Sequence, residues 1–373
     1  MFVRHATTEG TAHYRERFSG QLHSSHFSLH NNLWFSSIGL GIYFSGVDTA
    51  ASARYRDALA EALQAGCNLL DSAITHRSQQ SEQIVGQALA SAFARGHVTR
   101  DEVIVAARGG YILFEGDYPT DAATYVRRNL IDAGVAAADE FAQGWHHCMA
   151  PKYLRMQFRQ SLTNLGLGTI DIYYVHYPEV QRIERGPKIF ENRLLAAFAE
   201  LEAQINSERL AYYGLATLDG FRVPPPDPAY LSLSRIVELA HDAGGDNHRF
   251  RYIQAPLNLA MREIFEFKNQ VVKGHEMTLL EAAQELGVVV IGGSALWQGQ
   301  LALHLPDDVR AAFSDAQTNA QAAIQFARSA PGLASALVGM SRRGHIRENL
   351  AIARHPLASA GALAALFKPT PGV

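Results

Sequence analysis

The stretch NLLDSAITHRSQQSE, residues 68–82, decides the fold. An apolar run ends in Asp71, a polar turn follows, and SEQIVGQALA (81–90) opens a helical pattern. A strand that feeds a helix in this way is one half of a βαβ unit.

The same unit recurs along the chain. Strand-like runs are SSIGLGIY (36–43), CNLLD (67–71), EVIVAAR (102–108) and DIYYVHY (171–177), followed by AYYGLAT (211–217), RYIQAP (251–256), GVVVIGGS (287–294) and SALVGM (335–340). Helical spacing of apolar residues fills 51–65, 80–95, 152–165, 191–206, 276–286, 317–329 and 343–353. Eight strands alternating with helices predict an α/β fold, a (β/α)8 TIM barrel. A doubly wound open sheet is the alternative, but no G-x-G-x-x-G follows the first strand.

Two regions stand outside the repeat. Residues 1–34 read as an N-terminal extension packed on the barrel, which spans 35–355, and 356–373 as a C-terminal tail. Residues 109–150 form a long insertion after the third strand, far beyond an ordinary βα connection. An insertion there lies at the C-terminal face, over the site, unless it is a plain surface excursion.

Composition narrows the function classes. The 373 residues carry a formal net charge of −3, which gives no electrostatic case for nucleic acid or an anionic membrane. No apolar run reaches the length of a membrane span. Two cysteines, Cys67 and Cys148, suit a reducing compartment, and the expectation is a cytoplasmic protein acting on a small molecule, with nothing in the sequence that demands a protein partner. GWHHCMAP (144–151) lacks the paired spacing of a metal site, so no metal is expected.

A barrel keeps its chemistry at the C-terminal ends of its strands. There stand Asp71, Arg108 and His176, with His76 in the turn after Asp71. Together with SSIGLGIY, SEQIVGQAL, LTNLGLGTIDIYYVHYPE and ALVGMSRRGHIRENL, they make residues 35–355 resemble an aldo/keto reductase. The resemblance implies NADP(H)-dependent exchange between a carbonyl and an alcohol on a small molecule. It also implies a tetrad of aspartate, tyrosine, lysine and histidine. Asp71 and His176 match, whereas His76 stands at the tyrosine position and Arg108 at the lysine position.

An imidazole needs no neighbouring cation to titrate near neutrality, and an arginine does not give up its proton. Arg108 beside His76 is expected to push the imidazole towards its neutral form, with Asp71 pulling the other way. Such a site suits proton abstraction, elimination or oxidation better than ordinary carbonyl reduction. The competing readings are a non-redox dehydratase or isomerase on the same barrel, and a catalytically silent ligand- or partner-binding protein. Asp71 and Arg108 could also simply brace two strand ends.

For the nucleotide, the resemblance points to Gln254 at the carboxamide and to Ser294, Leu296 and Gly299 at the pyrophosphate. Gly339, Ser341, Arg343 and Asn349 fall at the adenosine end. Ala216 and Thr217 replace a serine–asparagine pair, Gly293 replaces a stacking aromatic, and His345 stands where an arginine is expected. Tyr43, Trp145, His147 and Tyr177 are candidates for the substrate pocket.

Overall fold

The computed structural model describes residues 4–43, 49–114 and 121–366. Residues 115–120 of the expected insertion and 367–373 of the tail lie outside them.

Among the described residues fourteen strands form, eight of them in one closed parallel barrel. β1 (Phe27–His30) and β2 (Leu33–Ser36) make an antiparallel hairpin ahead of it. The barrel begins with β3 (Ile38–Gly41), β4 (Leu69–Asp71) and β5 (Ile104–Gly109). The insertion contributes the short pair β6 (Phe141–Ala142) and β7 (His147–Cys148). The barrel resumes with β8 (Ile170–His176), β9 (Leu210–Ala216) and β10 (Phe250–Pro256). A second hairpin, β11 (Gln270–Val272) with β12 (His275–Met277), precedes β13 (Val289–Gly293) and β14 (Leu333–Val338). Closure comes from β14 pairing with β3, Ala336 opposite Ile38. This is the (β/α)8 architecture expected from the repeat. Several helices lie outside the expected segments, and the longest of them is Leu233–Gly244; Ser232 caps it by accepting the Arg235 amide. The FRVPPPDP run just upstream marks a loop and hides the periodicity that follows it.

Side chains alternate along a strand, and this period sorts the barrel's interior from its helix-facing side. Leu69, Ile104, Ala106, Ile172, Tyr174, Tyr252 and Ile291 point inward and form one buried cluster. Ala6, Leu33 and Phe35 join that cluster from the N-terminal end, so the first segment plugs the barrel floor. The plug is pinned by Asp171, which accepts the Ala6 amide at 2.6 Å and pairs with Arg100 at 2.7 Å. Helices on the outside complete a second, larger core around Leu59, Phe158 and Phe198. Burying one such side chain stabilises by roughly 1.5–3 kcal/mol.

The insertion has a small core in which Ile112, Val126, Leu130 and Phe141 cluster with Tyr153 of the following Pro151–Leu165 helix. It leaves β5 through Gly110, whose φ of +139° favours glycine. A Cβ there would lie 2.9 Å from the His176 carbonyl oxygen and 3.0 Å from His147 Nε2. Among the described residues, no helix is long and apolar enough to cross a membrane.

Candidate active site

Extending each inward-facing line by one step reaches the C-terminal mouth. Leu69 leads to Asp71, Ala106 to Arg108, Tyr174 to His176 and Tyr252 to Gln254. His176, Ala216 and Gln254 share one rung of the ladder. All four polar side chains are buried. A strictly alternating pattern has thus put a polar layer on top of an apolar one.

The layer is bonded together. The Arg108 guanidinium donates to the carboxylate of Asp71, to Gln254 Oε1 and, at 3.4 Å, to the Ser72 carbonyl. Gln254 returns its amide Nε2 to Asp71 Oδ2 at 3.0 Å. Both polar atoms of the Gln254 side chain are therefore engaged inside the protein. Burial lowers the Arg108 pKa, but an arginine keeps its proton from so high a starting point.

His76 sits in a turn where Arg77, Ser78 and Gln79 hold φ of 52°, 48° and 75°. Three successive left-handed residues without glycine are strained, and the strain aims the turn back at the mouth. His76 Nδ1 lies 2.8 Å from the Ile42 carbonyl, which can only accept, so Nδ1 carries the hydrogen. Nε2 is left as a lone-pair acceptor. Burial pulls the His76 pKa down to about 4, against the pull of that carbonyl. The imidazole is neutral, as expected, but burial rather than Arg108 makes it so. The Arg108 charge acts on His176 instead, whose pKa falls well below its usual value through burial first and Arg108 second.

The aromatic candidates divide into two pairs. Tyr43 lies edge-on to His76, ring centroids 4.9 Å apart, and Tyr177 packs on His176 at 4.3 Å. Trp145 packs instead on Phe141 within the insertion's core. His147 is wholly buried; its Nε2 donates to the His176 carbonyl at 2.8 Å and its Nδ1 accepts from Gln181 at 3.1 Å. With both nitrogens engaged, its role is to tie the insertion to β8.

The expected nucleotide residues flank the mouth. Ser294 has φ 58°, and Leu296 (φ −102°, ψ 7°) precedes Trp297 (φ 44°). A right-handed residue followed by a left-handed one is the backbone pattern of an anion-binding nest, with the Trp297 amide here donating to the Ser294 carbonyl at 2.8 Å. Gly299, at φ 89°, continues the loop. Gly339 and Ser341 lead into the Arg343–Ala351 helix, in which Asn349 is buried. Arg343 does not face this loop freely, because it pairs with Glu61 of the Thr49–Gln64 helix, as does Arg347. Arg342 has no ion pair among the described residues.

One buried group lies outside the expected site residues, although it ends the stretch LTNLGLGTIDIYYVHYPE. Glu179, three residues after His176, accepts the Leu218 and Asp219 amides at 2.6 and 3.1 Å and braces the loop after β9. Its signal there is a carboxylate placed directly after a strand end.

Residues 37–219, which include Asp71, His76, Arg108 and His176, match the aldo/keto reductase family. That segment is an aldo/keto reductase domain. An uncharacterized oxidoreductase of Bacillus subtilis, YqkF, is 25% identical over 211 residues, covering 56% of this chain. The chain spans about half the length of that curated relative, 52%. Among solved structures, aldo-keto reductase AKR11C1 from Bacillus halodurans aligns over 92% of this chain and 95% of its own, with TM-score 0.62 and 17% identity. The glycerol dehydrogenase AKR11B4 from Gluconobacter oxydans aligns over 92% and 94%, with TM-score 0.65 and 16% identity. An aldo/keto reductase from Klebsiella pneumoniae, solved with NADP and acetate, aligns over 92% and 95%, with TM-score 0.60 and 18% identity. These likenesses show an aldo/keto reductase fold.

Proposed function

We propose that the chain is an NADP(H)-dependent oxidoreductase acting on a carbonyl or alcohol of a small molecule, through a non-standard site of Asp71, His76, Arg108 and His176. A cytoplasmic setting belongs to the same reading. The observation that carries it is the polar layer at the mouth, where a buried guanidinium stands beside the neutral His176 imidazole and the neutral His76 lies near that same ring. A fixed cation in a dry site stabilises charge that develops on a substrate oxygen. His76 Nε2 accepts a hydrogen bond from a substrate hydroxyl, and His176 lines the opposite side. Asp71 holds Arg108 in place.

The residues fit the nucleotide best along its phosphates. The nest at Leu296–Trp297, with Ser294 and Gly299, would hold the pyrophosphate, and Gly339, Ser341, Arg343 and Asn349 border the adenosine end. Arg342, rather than the Glu61-bound Arg343, would meet a 2′-phosphate and favour NADP over NAD. At the other end, a Cβ built on Gly293 meets nothing nearer than the Ala255 carbonyl oxygen at 3.7 Å, so the bed for the ring is open. Gln254 would have to exchange Arg108 for the carboxamide. The bound nucleotide would supply or accept the hydride. The NADP-bound Klebsiella neighbour and the glycerol dehydrogenase neighbour support this choice of cofactor and substrate class.

The closed bonding of Gln254 favours one other reading, acid/base chemistry without hydride transfer, such as dehydration or isomerisation. Titration with NADPH, followed by its fluorescence, separates the two. Binding with hydride transfer to a carbonyl panel, or from an alcohol panel to NADP, supports the oxidoreductase. Absence of NADPH binding at millimolar concentration sinks it.

A further inference from the structure

A carbonyl reduced at this mouth needs a proton, and the four expected site residues do not supply one. His76 has given its only N–H to the Ile42 carbonyl and offers a lone pair at Nε2. Arg108 holds its protons too tightly to act as an acid. Asp71 accepts from Arg108 and from Gln254. Burial and the Arg108 charge keep His176 from carrying an extra proton.

Phenols surround the same mouth, and they are not equivalent. Tyr43 is 73% exposed and sits on the solvent side of His76. Tyr174 is buried in the layer below, among the barrel's apolar side chains. Tyr111 bonds the Gln143 side chain, and burial lifts its pKa to about 12. Tyr177 differs from all three. It is half-buried, its ring packs on His176, and its phenol lies in the field of the Arg108 guanidinium. Its backbone is held at φ 48° while its amide donates to the Ala216 carbonyl at 2.6 Å. A non-glycine residue in that conformation is uncommon, and here it turns the ring over the neighbouring histidine instead of along the strand.

We propose that Tyr177 is the proton donor of this site, moved from the turn after β4 to the end of β8, with Arg108 as the cation that stabilises its phenolate. The assignment rests on the oxidoreductase reading above. In the reductive direction the carbonyl carbon gains a hydride, two electrons and one proton, from the reduced nicotinamide nucleotide, which leaves oxidised. The carbonyl oxygen takes the Tyr177 proton as the phenolic O–H bond breaks and the alcohol O–H bond forms. The phenolate persists beside Arg108 until solvent at the half-buried ring returns a proton. Alcohol oxidation runs the same transfers backwards.

The groups that face this phenol are Arg108, Glu179, Asp219, Tyr43, Tyr111 and His176. Burial raises the Tyr177 pKa, Arg108 opposes that rise, and Glu179, Asp219 and Tyr43 add to it. The phenol therefore holds its proton throughout the working range, as a donor must.

The test uses the full chain with NADPH and a carbonyl that the wild type reduces. Tyr177→Phe is expected to lower kcat by roughly 10²- to 10⁴-fold, the worth of a positioned acid, while the NADPH Kd stays unchanged. Turnover that survives Tyr177→Phe overturns this assignment alone. A wild type that transfers no hydride overturns the oxidoreductase reading and takes the assignment with it. A second readout is independent of turnover. Difluorotyrosine placed at position 177 brings the phenol into an accessible range, and its titration is followed by fluorine NMR. Replacing Arg108 by Gln, in an Asp71→Asn background so that no buried charge is left unpaired, should move that titration upward by about one pH unit. Arg108→Lys, which keeps the charge, should not move it. A titration indifferent to Arg108→Gln overturns the pairing.

Discussion

His147 donates its Nε2–H to the backbone carbonyl of His176 at 2.8 Å, so the insertion grips the strand end that carries a site histidine. The bond is wholly buried, and Gln181 fixes the tautomer from the other side of the ring. His147→Ala takes the imidazole donor from that carbonyl, while the Gln181 amide keeps the Glu140 carbonyl at 3.1 Å. The expected cost is about 1–3 kcal/mol for the stranded carbonyl, read as a lower urea midpoint. A midpoint that does not move would mean that the insertion docks independently of this bond.

Arg108 and Asp71 should behave as one unit. Removing the guanidinium alone, as in Arg108→Met, leaves a buried carboxylate unpaired and is expected to cost roughly 3–5 kcal/mol. The double variant Asp71→Asn/Arg108→Met should recover most of that loss. A double-mutant cycle by urea unfolding checks it; additive losses would show that the two groups are not coupled.

Much of this site is legible in the sequence. Period-two alternation through Leu69–Asp71, Ile104–Ala106–Arg108 and Ile172–Tyr174–His176 is enough to place a polar layer above an apolar one. What the alternation cannot show is reach. A guanidinium is longer than the ammonium it replaces and forks, so it takes Gln254 as well as Asp71, and no spacing rule announces that. Burial is equally hidden. Tertiary packing, not a neighbouring charge, neutralises His76, and a histidine expected at the substrate turns out to be a brace because both its nitrogens find partners.

His26, His76 and His147 provide a direct measure of that burial. Burial pulls each down to about 4, and each donates to a backbone carbonyl, at Gly66, Ile42 and His176 respectively. Their folded pKa values lie below the unfolded one, so their contribution to stability is present above about 6.5 and is lost as pH falls towards 4. Nitrogen NMR of the imidazoles should find all three neutral at pH 6, with His76 as the Nδ1–H tautomer. A protonated ring at pH 6 would contradict the packing.

Glu82 runs the other way. It is buried between the Gln80–Ala94 and Pro151–Leu165 helices, where burial lifts its pKa to about 7 although Asn164 and Ser161 donate to it at 2.9 and 2.8 Å. Because the folded value lies above the unfolded one, stability falls as pH rises from about 4.5 to 7 and is level beyond. The full effect is roughly 3 kcal/mol. Comparing urea midpoints of wild type and Glu82→Gln across that window should show the difference between them changing, and a constant difference would rule the carboxyl out.

The seam where β14 pairs with β3 has a consequence for how the molecule is made. Ile38 and Ala336 come from opposite ends of the chain, so the strand that leaves the ribosome first waits longest for its second neighbour. Until β14 arrives, one edge of β3 lacks its partner and the plug of Ala6, Leu33 and Phe35 has no closed floor to fill. Contacts this distant in sequence slow folding and leave unpaired strand edges exposed until they form. The rate-limiting event in refolding is expected to be ring closure at this seam.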